Sequence, residues 1–197
     1  MSHNNTQKKG TLEVICGSMF SGKSEELIRR LKRAQLAKKN VLAFKHSLDD
    51  RTFIEYVVSH NGNKIKALPI EKAEMILELI PADIEVIGID EIQFFEQNII
   101  NIICNFIEQG KRVIAAGLDL GFNRKPFGAM PLLLSIADHI TKLKAICILC
   151  GKDAHFTQRL VNNRPAKFED PTILVGAQEA YQARCRDCHI IDKQPEF

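Results

Sequence analysis

The sequence predicts an α/β fold, in which helices flank a parallel β-sheet and a small cysteine-containing domain lies near the C-terminus. Three observations predict it. A strand, a glycine-rich loop and a helix come first, strand and helix patterns then alternate, and two Cys-x-x-Cys pairs stand near the end. Strands that alternate with helices form parallel sheets with both faces covered. The 197 residues suit one domain with a small appendage.

A phosphate-binding loop is the first of these features. Residues 17–24 match the pattern G-x-x-x-x-G-K-[ST], between a predicted strand at Thr11–Cys16 and a predicted helix from Ser24 to about Lys38. Backbone N–H groups of such a loop surround phosphate oxygens, its lysine adds positive charge, and its serine offers a hydroxyl to Mg²⁺. An ordinary turn is the alternative, which the order of strand, loop and helix disfavours. The predicted nucleotide contacts are Gly17, Ser18, Met19, Phe20, Ser21, Gly22, Lys23 and Ser24.

The remaining elements are predicted from apolar periodicity, in chain order. The predicted elements are a strand at Val41–Lys45, an extended piece at Lys64–Leu68, a helix at Glu71–Ile80, a buried strand at Glu85–Asp90, a helix from about Glu96 to Gln109 and a strand at Lys111–Leu118. Pro81 and Gly110 end the two helices. We expect a disordered tail over residues 1–10, the α/β domain over 11–145, a cysteine domain over 146–190 and a tail over 191–197.

Composition narrows the class of protein. A net charge of +3 is too small to indicate a nucleic-acid partner, and a solvated helix face explains the basic residues after the loop. No apolar run is long enough to cross a bilayer, and the polar N-terminus lacks the apolar core of a secretory signal. Six cysteines without such a signal indicate a reducing compartment. We therefore expect a cytoplasmic protein with no membrane or nucleic-acid partner.

Two adjacent carboxylates follow a buried strand. Asp90 is the last residue of that strand, and Glu91 comes next. Because ligands bind at the carboxyl ends of parallel strands, we expect Asp90 to hold Mg²⁺ and Glu91 to act as a base on a hydroxyl or a water. A solvated strand end is the alternative. Gln93, Phe94 and Phe95 place an amide and two rings nearby, and such rings also occur simply as core.

The two cysteine pairs predict a structural zinc site, since four thiolates can hold one tetrahedral Zn²⁺. The predicted ligands are Cys147, Cys150, Cys185 and Cys188. His189 is an alternative to the last of these, and a redox dithiol is the rival interpretation. The distance between the pairs indicates an insertion. Cys16 and Cys104 lie in apolar surroundings and are predicted to be buried thiols.

Four motifs in order resemble one family, the zinc-containing type II thymidine kinases. Residues 17–24 resemble the family's G-P-M-F-S-G-K-[ST], and residues 90–95 resemble its D-E-[AGI]-Q-F. Residues 117–119 with 122–128 are similar to its G-L-D and F-[QR]-x-x-P-F, and Tyr181 stands just before the second cysteine pair, as in the family. The resemblance runs from about Thr11 to Cys188. Ser18 departs from the family's proline, and residues 120–121 and 176–177 also differ from its usual ones.

The resemblance implies a P-loop RecA-like fold and a kinase. The reaction would transfer the γ-phosphoryl group of ATP to the 5′-hydroxyl of thymidine, and of deoxyuridine, giving dTMP and ADP in pyrimidine salvage. Glu91 would take the proton from that hydroxyl, while Lys23 and Mg²⁺ would offset charge on the transferring group. Further nucleotide contacts would be Asp49, Asp50, Arg51, Asp90 and Gln93.

The resemblance also implies a long loop, the lasso, that closes over the thymine base between Cys150 and Cys185. The implied nucleoside contacts are Met19, Leu118, Phe122, Thr157, Thr172, Ile173, Leu174, Val175, Gly176 and Tyr181. Core packing is the alternative role for the hydrophobic residues among them. The family further implies a homotetramer that dTTP inhibits. Two other functions stay open, namely a RecA-like ATPase that acts on nucleic acid and a nucleotide sensor without catalysis.

Overall fold

A six-stranded parallel β-sheet forms the centre of the computed structural model, which describes residues 9–48, 56–58, 62–172 and 179–191. The elements up to residue 142 are β1 (Thr11–Cys16), α1 (Lys23–Leu36), β2 (Val41–His46), β3 (Tyr56–Val58), β4 (Lys64–Lys66), β5 (Leu68–Ile70), α2 (Met75–Leu79), β6 (Val86–Asp90), α3 (Ile99–Glu108), β7 (Arg112–Gly117), α4 (Met130–Ile136) and β8 (His139–Lys142). The sheet order is β5-β2-β6-β7-β1-β8, and every neighbouring pair is parallel. The carboxyl ends of β1, β6 and β7 therefore meet at one edge.

Helices cover both faces of this sheet, as the continuous apolar strands require. On one face α1 packs through Leu27, Ile28, Leu31 and Ala34, which recur at helical spacing. On the other face α3 and α4 pack against a second apolar cluster, to which α3 contributes Ile99, Ile102, Ile103 and Phe106. All five residues of β6 are buried, so Asp90 is a buried carboxylate at the carboxyl edge of the sheet.

The predicted α/β class and parallel sheet are confirmed, and the structure revises several boundaries. The predicted helix at 71–80 is only the five-residue α2, and α3 begins at Ile99 rather than near Glu96. Strand β3, helix α4 and strand β8 were not predicted. The predicted tails at 1–10 and 191–197 lie almost entirely outside the described residues.

The prediction that Cys104 is buried is wrong. Cys16 is buried in β1, but Cys104 is exposed. Helix α3 directs Ile103 and Phe106 into the core, and Cys104 falls on its solvent face beside Asn105. Periodicity along a helix decides burial, whereas the apolar character of sequence neighbours does not.

The cysteine domain consists of short antiparallel strands. They are β9 (Ala145–Ile146), β10 (Asp153–Ala154), β11 (Phe156–Val161), β12 (Arg164–Pro165) and β13 (Glu179–Arg184). Strands β9 and β10 pair with each other, and β12, β11 and β13 form a three-stranded sheet in that order. Each cysteine pair follows the end of a strand, β9 or β13. The N–H of Ile148 donates to the carbonyl oxygen of Ala183 at 3.2 Å, which brings the two pairs side by side.

Throughout the described ranges, every helix is too short or too polar to cross a bilayer.

Candidate functional site

The phosphate loop connects β1 to α1 and uses backbone conformations that suit glycine. Gly17 has φ 142° and Gly22 has φ 86°, and Phe20 between them is also left-handed with φ 64°. The Nζ of Lys23, which is 8% exposed, donates to the carbonyl oxygen of Ser18 at 2.8 Å. Lys23 is thus held across its own loop, where its charge and the N-terminus of α1 favour an anion.

Asp90 and Glu91 lie at the carboxyl end of β6, beside this loop. Burial raises the pKa of Asp90 and the charge of Glu91 raises it further, while the Ser24 hydroxyl and the Lys23 ammonium lower it. Because Ser24 and Lys23 act on the pKa of Asp90, the three side chains lie close together in one site. Glu91 has φ 52°, and its N–H donates to Asp90 Oδ1 at 3.1 Å. The chain therefore turns directly after the strand, between the two carboxylate-bearing residues.

The residues of this site fit a divalent cation with phosphate. Asp90 is only 3% exposed, and a buried carboxylate is stabilised in its charged form by a nearby cation. Ser24 adds a hydroxyl oxygen, the ligand type that Mg²⁺ prefers. Ser21 Oγ is buried and, among the described residues, has no hydrogen-bond partner, as expected of a group that serves a ligand.

Gln93 lies in a single 3₁₀ turn, Ile92–Phe94, and connects β6 to β7. Its Nε2 donates to Glu91 Oε2 at 2.6 Å, and its Oε1 accepts from the backbone N–H of Leu118 at 3.0 Å. The sequence predicted Gln93 to be a nucleotide contact, and in the structure both ends of its amide contact the protein.

Gly128 packs directly on the backbone of Gln93 and has φ 52°. A Cβ at this position would fall on the carbonyl oxygen of Gln93, so Gly128→Ala combines backbone strain with a collision. We expect this variant to lower the free energy of unfolding by about 2–4 kcal/mol, measured by urea denaturation. Gly62→Ala is the matched control, since Gly62 has φ 77° but open space around its Cβ position. Equal losses for both variants would contradict the packing argument.

Two of the predicted nucleoside contacts touch each other. The N–H of Met19 donates to Thr157 Oγ1 at 3.0 Å, which joins the phosphate loop to β11 of the cysteine domain. Ser18 Oγ, where the family has proline, donates to the carbonyl oxygen of Ala154 at 3.4 Å. The phosphate loop therefore rests on the cysteine domain at two neighbouring residues.

Phe122 and Tyr181 are connected through a buried arginine. Arg159 is fully buried in β11, and its guanidinium lies 5.1 Å from the ring centroid of Phe122. Its Nη1 donates to the carbonyl oxygen of Pro171, and Tyr181 stands opposite it in the register of β11 and β13. Arg159 thus contacts both the Phe122 loop and Pro171, which lies within the predicted lasso.

The structure describes some of the remaining predicted contacts and omits others. Leu118 is half-buried at the end of β7, and its N–H is held by Gln93. Thr172 is exposed, with its side chain near Gly121. Seven predicted residues lie outside the described ranges, namely Asp49, Asp50, Arg51, Ile173, Leu174, Val175 and Gly176.

The four predicted cysteines form one cluster, with all Sγ atoms within 4.8 Å of one another. A tetrahedral zinc site with Zn–S bonds of about 2.3 Å requires S···S distances of about 3.8 Å. The Sγ atoms of Cys150 and Cys185 are 3.5 Å apart. Each pair lies in a tight turn, in which Gly151 N–H donates to Cys147 O and His189 N–H donates to Cys185 O. The donor set and spacing fit a structural Zn²⁺.

His189 faces away from this cluster, although it follows Cys188 directly. Its Nδ1 accepts from Arg124 Nε at 3.2 Å, and its Nε2 lies 3.2 Å from the carbonyl oxygen of Thr157. Burial, with the charge of Arg124, lowers its pKa to about 4, so the ring is neutral near pH 7 and donates from Nε2. Its alternative role as a zinc ligand is therefore disfavoured.

Sequence reasoning missed Arg124, Arg159 and Lys142. Lys142 Nζ pairs with Asp119 at 2.6 Å and joins the ends of β8 and β7. Arg124 lies over the ring of Phe156 and donates to the carbonyl oxygen of His189. An arginine one residue after an asparagine in a polar loop gives no local signal of such contacts. Arg159 stands between Gln158 and Leu160 in β11, and these neighbours give no sign of its burial either.

A groove of about 1320 Å³ opens at the opposite end of the sheet. It is rich in basic residues, but several already have acidic partners. Arg30 and Arg112 both bind Glu13, and Lys39 binds Glu85. The paired charges and the position at the amino ends of the strands separate this groove from the phosphate site.

The parallel sheet carries a phosphate loop after β1 and a buried carboxylate, Asp90, at the end of β6, two strands away. These features define a P-loop protein, to which a domain with a four-cysteine cluster that fits a metal ion is added. A protein-family model described as thymidine kinase matches residues 10–189. The chain therefore belongs to the thymidine kinase family, as the sequence motifs predicted, and thymidine phosphorylation is its activity in general terms.

Proposed function

We propose that the chain transfers the γ-phosphoryl group of ATP to the 5′-hydroxyl of thymidine, giving dTMP and ADP, and that it also accepts deoxyuridine. One observation carries the proposal: Asp90 and Glu91 stand at the end of β6 beside Ser24 and Lys23 of the phosphate loop. This arrangement offers a phosphate grip, oxygen ligands for a cation and a second carboxylate for proton removal. Those are the parts that phosphoryl transfer to a hydroxyl needs.

In the proposed reaction, Glu91 accepts the proton of the 5′-hydroxyl as the oxygen attacks the γ-phosphorus. The new P–O bond forms as the bond to the β–γ bridging oxygen breaks, and ADP leaves with that electron pair. Lys23 and the loop N–H groups stabilise charge on the transferring group. Mg²⁺ bound with ATP would neutralise phosphate charge, held by Ser24 and Asp90.

On the acceptor side, we propose that Phe122 stacks on the thymine ring and that Met19 and Leu118 line the pocket near the 5-methyl group. The buried Arg159 supports this role, because it holds the Phe122 ring in one place. Thr157, Thr172 and Tyr181 would complete the pocket with the backbone of residues 173–176. Discrimination between thymidine and deoxyuridine rests on one methyl group, about 1–3 kcal/mol.

Asp49, Asp50 and Arg51 complete the proposed nucleotide site, with Arg51 pairing with phosphate oxygens. The homotetramer, inhibition by dTTP and a cytoplasmic location follow from the family resemblance, and we propose them on that basis. We also propose the domain division at residues 11–145 and 146–190, which the separate sheets support.

The test follows the label from [γ-³²P]ATP with free thymidine and no DNA present. We expect label in dTMP, with release of ADP and strict dependence on Mg²⁺. Hydrolysis that required DNA would favour the nucleic-acid ATPase instead. ATP binding without any transfer would favour the nucleotide sensor, and either result would reject the kinase.

A further inference from the structure

Gln93 is placed by two hydrogen bonds that leave its amide one orientation. A backbone N–H can only donate, so the oxygen of the amide must face Leu118. The NH₂ group then faces Glu91 and donates to its Oε2 at 2.6 Å. Gln93 is 2% exposed, and a buried side chain held at both ends keeps one rotamer.

Two glycines leave room for Gln93, one beside its side chain and the other beside its backbone. A Cβ at Gly117 would lie 2.5 Å from Gln93 Oε1, and a Cβ at Gly128 would meet the Gln93 carbonyl oxygen. Gly117 ends β7, and Gly128 lies just before α4. The end of β7 thus makes room for the Gln93 amide, and the loop before α4 makes room for the Gln93 backbone.

The role proposed for Glu91 requires a carboxylate held in one place. Glu91 directly follows the last residue of β6, in a left-handed conformation. A glutamate has three side-chain torsions, and catalysis by a base requires its oxygen within about 3 Å of the proton it removes. The 2.6 Å bond from Gln93 fixes the position of one carboxylate oxygen.

We propose that Gln93 is a positioning residue for Glu91, and that it ties the carboxylate to the end of β7 through the Leu118 N–H. The inference rests on the proposed function, in which Glu91 is the base. Leu118 is also a proposed wall of the nucleoside pocket, so the same amide sets the distance between the base and the acceptor. Gln93 would then act on turnover rather than on ATP binding.

The first measurement is the kinetics of Gln93→Met, which keeps the side-chain length and removes both hydrogen bonds. We expect kcat to fall about 10–100-fold, with the Kd of ATP and the KM of thymidine changed less than about threefold. Gln97→Met is the matched control, because Gln97 is exposed in the next turn. Thermal unfolding of each variant checks that the fold persists.

The second measurement is a double-mutant cycle with Glu91→Gln. If Gln93 acts through Glu91, Gln93→Met causes little further loss of single-turnover rate when Glu91 is already replaced. An equal fold-loss in both backgrounds would show a merely structural role and overturn the inference. A large rise in the Kd of ATP with kcat unchanged would also overturn it, and would make Gln93 a nucleotide contact.

Gln93→Glu keeps the acceptor for Leu118 and removes the donor to Glu91, so it covers the case in which the methionine variant does not fold. We expect it to lose kcat at least as strongly. Wild-type kcat in a folded Gln93→Glu would overturn the inference. The proposed function fails separately: if Glu91→Gln itself keeps full turnover, Glu91 is not the base, whatever Gln93 does.

Discussion

Replacing Glu91 with glutamine is expected to lower kcat for thymidine about 10²–10⁴-fold, the usual contribution of a general base. Glutamine has the same shape but cannot accept the hydroxyl proton, so the attacking oxygen stays protonated. The phosphate loop is untouched, since Lys23 is held by its own loop at Ser18. We therefore expect the Kd of ATP to stay within about twofold, measured by titration calorimetry.

Glu96→Gln is the control for this change, because Glu96 is exposed five residues later and lies outside the site. It should keep the wild-type rate. An unaltered rate in Glu91→Gln would remove Glu91 from the role of base. A loss of ATP binding together with turnover would instead indicate that Glu91 supports the loop.

The parts of the site that the sequence predicted are those set by local chain geometry. The phosphate loop needs particular backbone conformations within eight residues, so its glycines and lysine can be recognised from their spacing in the sequence. Strand β6 is apolar throughout and ends at a carboxylate, which marks Asp90. The cysteine spacing likewise fixes the metal ligands, because each pair occupies one turn.

The parts that could not be predicted depend on which strands become neighbours. Gln93 and Leu118 are 25 positions apart and meet only because β6 pairs with β7. The contact between Arg159 and Phe122 likewise requires the cysteine domain to pack on the loop after β7. The short helix α4 carries Pro131 and only two fully buried apolar side chains, too few to produce a clear period.

Removal of zinc is expected to unfold the cysteine domain. The domain has a small apolar cluster, built mainly from Ala145, Ala154, Ala183 and cysteines, which buries little surface. Structural Zn²⁺ contributes about 10–16 kcal/mol in zinc-finger peptides, as much as the whole stability of many domains. We expect about one Zn²⁺ per chain in the wild-type protein and none in Cys185→Ser, measured by elemental analysis.

The effect on ligands should be unequal. We expect Cys185→Ser to weaken thymidine binding by more than about 100-fold, because Thr157 and Arg159 belong to β11 of that domain. ATP binding should weaken by less, because the phosphate loop lies between β1 and α1 and contacts the cysteine domain through the Met19–Thr157 and Ser18–Ala154 bonds. Cys104→Ser is the control, an exposed cysteine outside the cluster. A fully folded, metal-free wild-type protein would contradict the zinc assignment. Equal weakening of thymidine binding and ATP binding would show that the cysteine domain supports the phosphate loop as strongly as it supports the nucleoside pocket.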